Sequence, residues 1–371
     1  MENKFIFILG NNPKISVAEI ETIYPKLSII SNSDVYLIGE IKDLDCKEAM
    51  HMLGGTIKVA ELISDEIDKD KIIDIIKKNK GESKVKFGFS FYGLKPTEIG
   101  MEIKRELKEA GVSSRLVVSR EKALSAVIVK KEKVTDFIIL PNAIGKTCAV
   151  QEFEEYGKRD YGRPKSDALS GMLPPKLAKI MVNLSSCDKQ ETILDPFCGS
   201  GTLPMEAIAL GYKNIISSDI SDKAVSDTKL NMDWLTSELK LTDVNYQIHN
   251  LDVRKLSKKI KPSSIDAVAT EPYLGPPIKG NESEKQILKT VKELEKLYIS
   301  AFEEFKLVLK PGGKIVIVIP SWHIKKVFKL DIEREIKKLG FNRKDSDDLV
   351  YKREGQKVWR NITIWEKVSK K

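Results

Sequence analysis

The first 150 residues alternate short apolar runs with segments whose apolar residues recur at helical spacing. Runs of strand length predict β-strands, whereas recurrence at every third or fourth residue predicts a helix. The segment PTEIGMEIKRELKEAG is of the second kind, because Ile99, Ile103 and Leu107 share one face and Gly111 ends it. Further helices are predicted near residues 17–23 and 72–78. Strands are predicted at KFIFILG, VYLIGEI, IKVAELI, KVKFGFSFYG, SRLVVS, ALSAVIVKK and DFIILPN.

A different rhythm follows the polar stretch 151–170, which contains Gly157, Gly162 and Pro164 and predicts a linker. Predicted strands and helices then alternate one for one: ETILDPF, PMEAIAL, IISSDI, a helix to about residue 239, YQIHNLD, IDAVATEP, a helix near residues 284–309, and KIVIVIP after a PGG turn. This alternation predicts an α/β fold with a doubly wound, mostly parallel sheet. Ligands bind such sheets at the carboxyl ends of the strands, so the strand ends are where chemistry is expected.

Composition narrows the class of protein. The chain has 371 residues, 41% of them hydrophobic and 32% charged, which suits two or three globular domains. No apolar run approaches the roughly 18 residues of a membrane span, and FIFIL is too short for a signal peptide. The cysteines (Cys46, Cys148, Cys187, Cys198) show no CxxC spacing, and the three histidines do not cluster. We therefore expect a cytoplasmic protein with reduced cysteines and no metal or membrane partner.

Charge is unevenly distributed along the chain. The formal net charge is +9, yet residues 1–70 hold 7 Lys and Arg against 13 Asp and Glu, whereas residues 71–135 hold 16 against 8. A local basic surface attracts polyanions by counterion release, so nucleic acid is the first partner to consider. A lysine-rich solvated surface is the alternative interpretation.

The first strand-end motif is LDPFCGSGT, residues 194–202. An acid ends the strand, and two glycines let the turn pass close beneath a ligand before a helix begins. The motif has neither the GxGxxG pattern of dinucleotide sites nor the GxxxxGK pattern of phosphate loops. It resembles the cofactor loop of S-adenosylmethionine-dependent methyltransferases. That resemblance implies contacts to S-adenosylmethionine from Asp195, Pro196, Phe197, Gly199, Gly201 and Thr202.

The next two strand ends fit this resemblance. ISSDIS places Asp219, followed by Ile220, where a carboxylate accepts hydrogen bonds from ribose hydroxyls. HNLDV places Asp252 and Val253 where these enzymes bind the adenine amino group. Each acid could instead be a helix N-cap, and that alternative stays open for both.

The fourth strand end, IDAVATEPYLGPP, resembles the [DNS]-P-P-[YFW] motif of amino-group methyltransferases. An exocyclic amine is a poor nucleophile that must be held in line by hydrogen-bond acceptors and a stacking ring. Glu271, Pro272 and Tyr273 are the candidate catalytic residues. The site departs from the pattern, since Tyr273 stands where the second proline belongs. Either the loop is one residue shorter with Tyr273 as the ring, which we favour, or Thr270 takes the acid's place; a degenerate, inactive site is a third reading.

The segment RDYGRPKSDALSGMLPPKLAKIMVNLS, residues 159–185, resembles the lead-in of archaeal and eukaryotic-type tRNA guanosine-10 N2-methyltransferases. FIFILGNNPKISVAEIE and LGGTIKVAELI are similar to the start of that family and its entry to THUMP. The family implies a ferredoxin-like unit at residues 1–55, a THUMP-like RNA-binding domain at 56–150, a linker at 151–170 and a Rossmann methyltransferase domain at 171–371. It also implies phosphate contacts from Lys84, Lys86, Arg115 and Arg120, and a cofactor border formed by Arg163, Gly171 and Met172.

These observations favour methyl transfer from S-adenosylmethionine to the N2 amine of a guanosine in tRNA, at position 10 by the resemblance. Adenine-N6 methylation of a nucleic acid would use the same strand end, and methylation of a protein amide would not need the basic segment. An RNA-binding protein with a decayed site is the alternative from another class. The need for a small activator subunit is left open.

Overall fold

The computed structural model describes residues 3–78, 84–166, 172–345 and 348–369. It forms two compact units, Met1–Glu154 and Glu155–Lys371. The sequence predicted a boundary between two N-terminal domains at residue 55. Strands before and after that residue pair with each other, so one sheet continues across the predicted boundary. The division of the first unit into ferredoxin-like and THUMP-like parts stays a prediction.

The first unit is an eight-stranded sheet with helices packed on it. Strand β5 runs parallel to β6 and β7, and the other neighbours are antiparallel, in the order β2-β3-β1-β4-β8-β7-β5-β6. Its strands are β1 (Asn3–Leu9), β2 (Ser28–Asn32), β3 (Tyr36–Ile41), β4 (Thr56–Ser64), β5 (Val85–Phe91), β6 (Ser114–Val117), β7 (Thr135–Leu140) and β8 (Ala143–Val150). Its helices are α1 (Pro13–Ile23), α2 (Cys46–Met52), α3 (Lys69–Lys78), α4 (Ile99–Glu109) and α5 (Ala126–Glu132).

Helix α5 overlaps the segment ALSAVIVKK, which the sequence predicted to be a strand. The run of Val127, Ile128 and Val129 suggested a strand, because β-branched residues are enriched there. In the structure Ser125 caps a helix by accepting a hydrogen bond from the Ile128 amide at 3.3 Å. Ile128 and Val129 then pack against Val117, Leu124 and Val134. Capping and packing therefore outweigh the local β-propensity.

The cysteines give a second correction. Cys46 on α2 and Cys148 on β8 form a disulfide across a sequence separation of 102 residues, so the expectation of reduced cysteines is wrong for this pair. The packing of α2 against the sheet brings the two thiols together, which sequence spacing alone does not reveal. Among the described residues, Cys187 and Cys198 are free.

A buried ion pair lies inside the first unit. Lys58 donates to Asp136 at 2.6 Å and to Ser90 at 2.8 Å, and the side chains of the charged pair are 1% and 0% exposed. Ser90 and Thr147 also donate to Asp136. This network satisfies the buried charges with hydrogen bonds as well as with each other.

The second unit contains the predicted parallel sheet, and the predicted α/β fold is confirmed. Strands β9 to β13 run parallel, in the order β11-β10-β9-β12-β13. Beyond β13, β17 pairs antiparallel with β13, and β15 pairs antiparallel with β17. Its strands are β9 (Thr192–Asp195), β10 (Asn214–Asp219), β11 (Asn245–Asn250), β12 (Ile265–Thr270), β13 (Leu309–His323), β14 (Val327–Lys329), β15 (Phe341–Arg343), β16 (Leu349–Tyr351) and β17 (Val358–Lys367). The helices are α6 (Phe153–Gly157), which begins before the unit, α7 (Pro175–Leu184), α8 (Thr202–Ala209), α9 (Asp222–Glu238), α10 (Glu284–Val308) and α11 (Glu333–Lys338).

The described part of the segment predicted as a linker, residues 151–166, is largely helical. Helix α6 continues into a π-helical turn, Lys158–Gly162. Arg159 in this turn is buried and pairs with Glu206 of α8 at 2.5 Å, which fixes the segment to the second unit. A polar composition therefore concealed a packed element.

In residues 3–78, 84–166, 172–345 and 348–369, no helix is both long and apolar enough to cross a membrane. Within those same ranges, no three or more His, Cys, Asp or Glu side chains are grouped so that they could hold a metal ion.

Candidate active site

Four acids predicted from sequence lie at one edge of the second sheet. Asp219 ends β10, Asp195 ends β9 and Glu271 directly follows β12, while Asp252 comes two residues after β11. These strands are parallel neighbours, so their carboxyl ends meet at one edge. The order of strands reverses between β9 and β12, which is where an open α/β sheet forms a ligand crevice.

The loop between β9 and α8 has the backbone that its glycines predicted. Gly199 and Gly201 adopt φ angles of +52° and +85°, in the left-handed region that favours glycine. A Cβ on Gly201 would lie 3.1 Å from the Thr228 methyl, whereas one on Gly199 would meet none of the described residues within 4 Å. Thr228 and Asn231 of α9 donate to the Gly199 and Ser200 carbonyls at 2.8 Å each. Hydrogen bonds from α9 therefore hold the loop, and no described side chain fills the space where a Gly199 Cβ would lie.

Asp195 is a buried carboxyl group whose pKa is raised to about 7. Burial is the main cause, and the neighbouring Asp219 and Glu271 carboxylates add to it. Hydrogen bonds from the Thr270 hydroxyl at 2.7 Å and the Phe197 amide at 3.2 Å act in the opposite direction. Asp195 thus joins the loop to the end of β12.

Asp219 is held by the loop beside it. Its two oxygens accept from the Gly199 amide at 3.0 Å and the Ser221 amide at 2.9 Å. Each carboxylate oxygen has a second lone pair, so two further donors can still bind. The neighbouring Ile220 side chain is 67% exposed, which places an apolar surface next to these acceptors.

Asp252 has the capping role that the sequence left open. It accepts from the Arg254 amide at 2.9 Å at the start of the 3₁₀ helix Val253–Lys258, and it pairs with the Arg254 guanidinium. The hydrogen bonds from Arg254 lower the pKa of Asp252. The Val253 side chain belongs to the core. Binding of an adenine by these two residues stays a prediction.

Glu271 pairs with a residue that sequence reasoning did not assign to the site. Arg360 of β17 donates from Nε to Glu271 Oε1 at 2.5 Å, and the two side chains are 9% and 13% exposed. Burial raises the pKa of Glu271, and Arg360 opposes that rise. Thr270 is buried and turned toward Asp195, which favours the register in which Glu271 supplies the carboxylate. The sequence signal for Arg360 was the interruption of the apolar strand KVWRNITIW.

Pro272 is buried, whereas the Tyr273 side chain is 58% exposed. The Tyr298 hydroxyl on α10 lies 3.5 Å from the Tyr273 carbonyl and 3.2 Å from that of Val318. Gly275 has a φ of +94°, and a Cβ there would lie 2.9 Å from the Thr290 methyl. The turn after β12 thus presents an exposed ring beside the carboxylate.

Arg163 of the lead-in reaches the start of α8. It is buried and donates to the Thr202 hydroxyl at 2.8 Å and to the Met172 sulfur. Gly171, the third residue of the predicted cofactor border, lies outside the described residues.

The four basic residues predicted to bind RNA lie in the first unit. Lys86 and Arg115 are opposite each other on β5 and β6, and both lie within 4 Å of Glu132, at 3.3 and 3.9 Å. Lys84 and Arg120 are exposed. Lys86 and Arg115 therefore share one acid, while Lys84, Arg115 and Arg120 are all exposed.

Comparisons with known proteins match parts of this chain to methyltransferases. A family model described as RMKL-like, methyltransferase domain, matches residues 163–344, and a DNA methylase model matches residues 56–230. Among solved structures, TrmN from Thermus thermophilus matches with a TM-score of 0.55 and 15% identity, covering 98% of this chain and 100% of that one. A predicted N6-adenine-specific DNA methylase from Listeria monocytogenes matches with a TM-score of 0.52 and 14% identity, covering 100% and 97%. The chain therefore has the fold of methyltransferases of this type.

Sequence relatives narrow that class. The tRNA (guanine(10)-N2)-dimethyltransferase of Methanocaldococcus jannaschii is 32% identical over 219 residues, which cover 56% of this chain and 54% of that protein. The enzyme of the same name from Methanothermobacter thermautotrophicus is 32% identical over 152 residues, covering 41% and 40%. The chain thus spans about half the length of these curated relatives. Over that part, the chain is similar to tRNA (guanine(10)-N2)-dimethyltransferases, which is the resemblance that its motifs indicated.

Proposed function

We propose that the protein transfers a methyl group from S-adenosylmethionine to the exocyclic N2 amine of a guanosine in tRNA, at position 10. The observation that carries this proposal is the convergence of a left-handed glycine loop, Asp219 and the Glu271–Tyr273 turn at the ends of three adjacent strands. The names of the sequence relatives support this choice of substrate, and the order of strands in the sheet supports a binding cleft at these strand ends.

The residues present fit S-adenosylmethionine. The Gly199 side of the loop is open, and the Asp219 carboxylate retains lone pairs for ribose hydroxyls. Exposed Ile220 provides an apolar surface for a planar base. When bound, this cofactor supplies an electrophilic methyl group on a sulfonium. Asp195, Pro196, Phe197 and Thr202 would complete the border of its site, with Asp252 and Val253 beyond.

The acceptor chemistry is assigned to the turn after β12. The guanine N2 lone pair is delocalised into the ring, so the amine must be oriented by hydrogen-bond acceptors before it attacks. The Glu271 carboxylate and the Pro272 carbonyl are those acceptors, and the exposed Tyr273 ring stacks on the base. The N–C bond would form as the methyl group leaves the sulfonium sulfur, which becomes a neutral thioether. The amine then releases one N–H proton, which Glu271 would accept.

The first unit would bind the RNA. Lys84 and Arg120 are exposed on it, and residues 71–135 carry twice as many basic as acidic residues. Cations of this kind contact phosphates without reading sequence. The THUMP-like character of residues 56–150 and a cytoplasmic location belong to this same proposal.

Adenine-N6 methylation of a nucleic acid is the second candidate, and the match of a DNA methylase model to residues 56–230 favours it. The two reactions share the strand-end turn and differ in the base that it must hold. The methylated nucleoside therefore distinguishes them.

The test is incubation of the purified full chain with radiolabelled S-adenosylmethionine and unmodified tRNA, followed by nucleoside analysis. We expect label in N2-methylguanosine or N2,N2-dimethylguanosine. Label in N6-methyladenosine would establish the second candidate. Addition of a cell extract to an inactive chain tests the need for an activator subunit.

One variant and the wild type itself control that experiment. Asp219→Ala should weaken cofactor binding in calorimetry and leave the affinity for tRNA unchanged. Cofactor binding by the wild type without label in any nucleoside, with or without extract, would contradict both reactions and favour a decayed site.

A further inference from the structure

Arg360 stands at an unusual place on the sheet. It lies near the start of β17, opposite Pro320 of β13, and together with Asn361 it separates the apolar residues Trp359 and Ile362. Since β17 is antiparallel to β13, its first residues lie at the edge where the parallel strands end. The position thus brings a guanidinium to the edge that carries the candidate acceptor turn.

The geometry joins Arg360 to Glu271 rather than to solvent. Their Nε and Oε1 atoms are 2.5 Å apart, and both side chains are nine-tenths or nearly nine-tenths buried. Among described residues, Glu271 accepts this one side-chain hydrogen bond, which leaves Oε2 for another donor. A short charge-assisted contact to one oxygen therefore fixes the direction in which the other can act.

The charges around Glu271 give this contact its importance. Arg360 faces it from β17, the Asp195 carboxyl group faces it from β9, and the Tyr298 hydroxyl interacts with it from α10. Burial and a second carboxyl group both disfavour an ionised Glu271. Arg360 is the cation in this set that favours the ionised form.

We propose that Arg360 is a positioning residue for methyl transfer, which keeps Glu271 ionised and aims its Oε2 at the acceptor amine. This inference rests on the proposed function. A protonated Glu271 would be a hydrogen-bond donor on one oxygen and could not take the N–H proton. Arg360 therefore acts through Glu271 and contacts no reacting atom.

The test is the pH dependence of single-turnover methyl transfer by wild type, Arg360→Lys and Arg360→Gln. We expect Arg360→Gln to lose at least about tenfold in rate at pH 7. Its rate should recover as the pH rises, since Glu271 then ionises without a cationic partner. Arg360→Lys should restore most of the neutral-pH rate. A loss that is equal at every pH, or no loss, would overturn the inference.

The background variant Glu271→Gln separates positioning from folding. If Arg360 acts through Glu271, adding Arg360→Gln to Glu271→Gln should lower the rate no further. Thermal unfolding of all variants shows whether each is folded at the assay temperature. An additional loss in the double variant with unchanged melting would assign Arg360 another role and refute ours.

A readout without turnover keeps this inference distinct from the proposed function. Glutamate labelled with ¹³C at the side-chain carboxyl reports ionisation by NMR, and Glu271→Gln identifies its signal. The signal of Glu271 should titrate at higher pH in Arg360→Gln than in wild type. If wild type is inactive yet this shift occurs, the proposed function fails while the control of Glu271 by Arg360 stands. If wild type is active and the shift is absent, the inference alone fails.

Discussion

Each unit contains a buried ion pair, which joins β4 to β7 in the first unit and joins β17 to the residue after β12 in the second. The two pairs differ in what surrounds them. In the first unit the side chains of Lys58 and Asp136 are buried, and the Ser90 and Thr147 hydroxyls also donate hydrogen bonds to Asp136. In the second, Glu271 and Arg360 lie at a sheet edge next to an exposed tyrosine, and Glu271 Oε2 has no protein donor among described residues. A buried pair that further hydrogen bonds satisfy is costly to break, whereas a pair with an unused acceptor at the ends of the strands can bind another donor.

The largest expected effect breaks the pair at the cleft. Glu271→Gln keeps the size of the side chain but removes the carboxylate, so single-turnover methyl transfer should fall by about 10²–10⁴-fold. Binding of S-adenosylmethionine and tRNA, measured by calorimetry and filter binding, should change little. Full activity would show that Glu271 is not the acceptor.

Breaking the buried Lys58–Asp136 pair should instead change the free energy of unfolding. Lys58→Met leaves an uncompensated buried carboxylate and should lower the free energy of unfolding by about 3–5 kcal/mol in urea titrations. The exposed pair of Lys4 and Asp65, 3.0 Å apart, provides the control, since Lys4→Met should cost about 1 kcal/mol or less. Equal losses in both variants would mean that burial of the first pair is unimportant.

Asp195 sharpens the comparison, because it is a buried carboxyl group with a pKa raised to about 7. The folded state binds its proton more tightly than the unfolded chain does, whose aspartates titrate near 3.9. The stabilisation that comes from this tighter proton binding is thus complete below about pH 4 and is lost as the pH rises through about 7. The free energy of unfolding of wild type should decline by about 2–4 kcal/mol relative to Asp195→Asn across that range. Parallel curves would refute the raised pKa.

The smallest effects concern the basic surface of the first unit. Reversing Lys84 and Arg120 to Glu should lower tRNA affinity and reduce the salt slope by about 1.5–2, as expected when two phosphate contacts are lost. Reversing Lys86 and Arg115, which already share Glu132, should have a smaller effect. Salt titrations of binding that gave the opposite order would place the RNA on the other pair.

Sequence predicted those features that depend on local pattern. The alternation of strands and helices predicted the parallel sheet, and LDPFCGSGT predicted the turn that Gly199 and Gly201 form. Features that depend on distant packing were missed or mispredicted. Arg360 lies 89 residues from Glu271, and no spacing rule links them. Helix α5 was predicted as a strand because its cap and its packing partners carry no strong local signal.

The disulfide between Cys46 and Cys148 has a consequence for how the first unit comes apart. It closes a covalent ring of about a hundred residues that contains strands β4 to β7 and most of β8. A protease that cuts once within this ring leaves both fragments attached to each other. The nicked chain would migrate as a single species on a denaturing gel and separate into two bands after a thiol reagent is added. Limited proteolysis with and without such a reagent therefore reports, on one gel, where the ring opens and whether the bond is made.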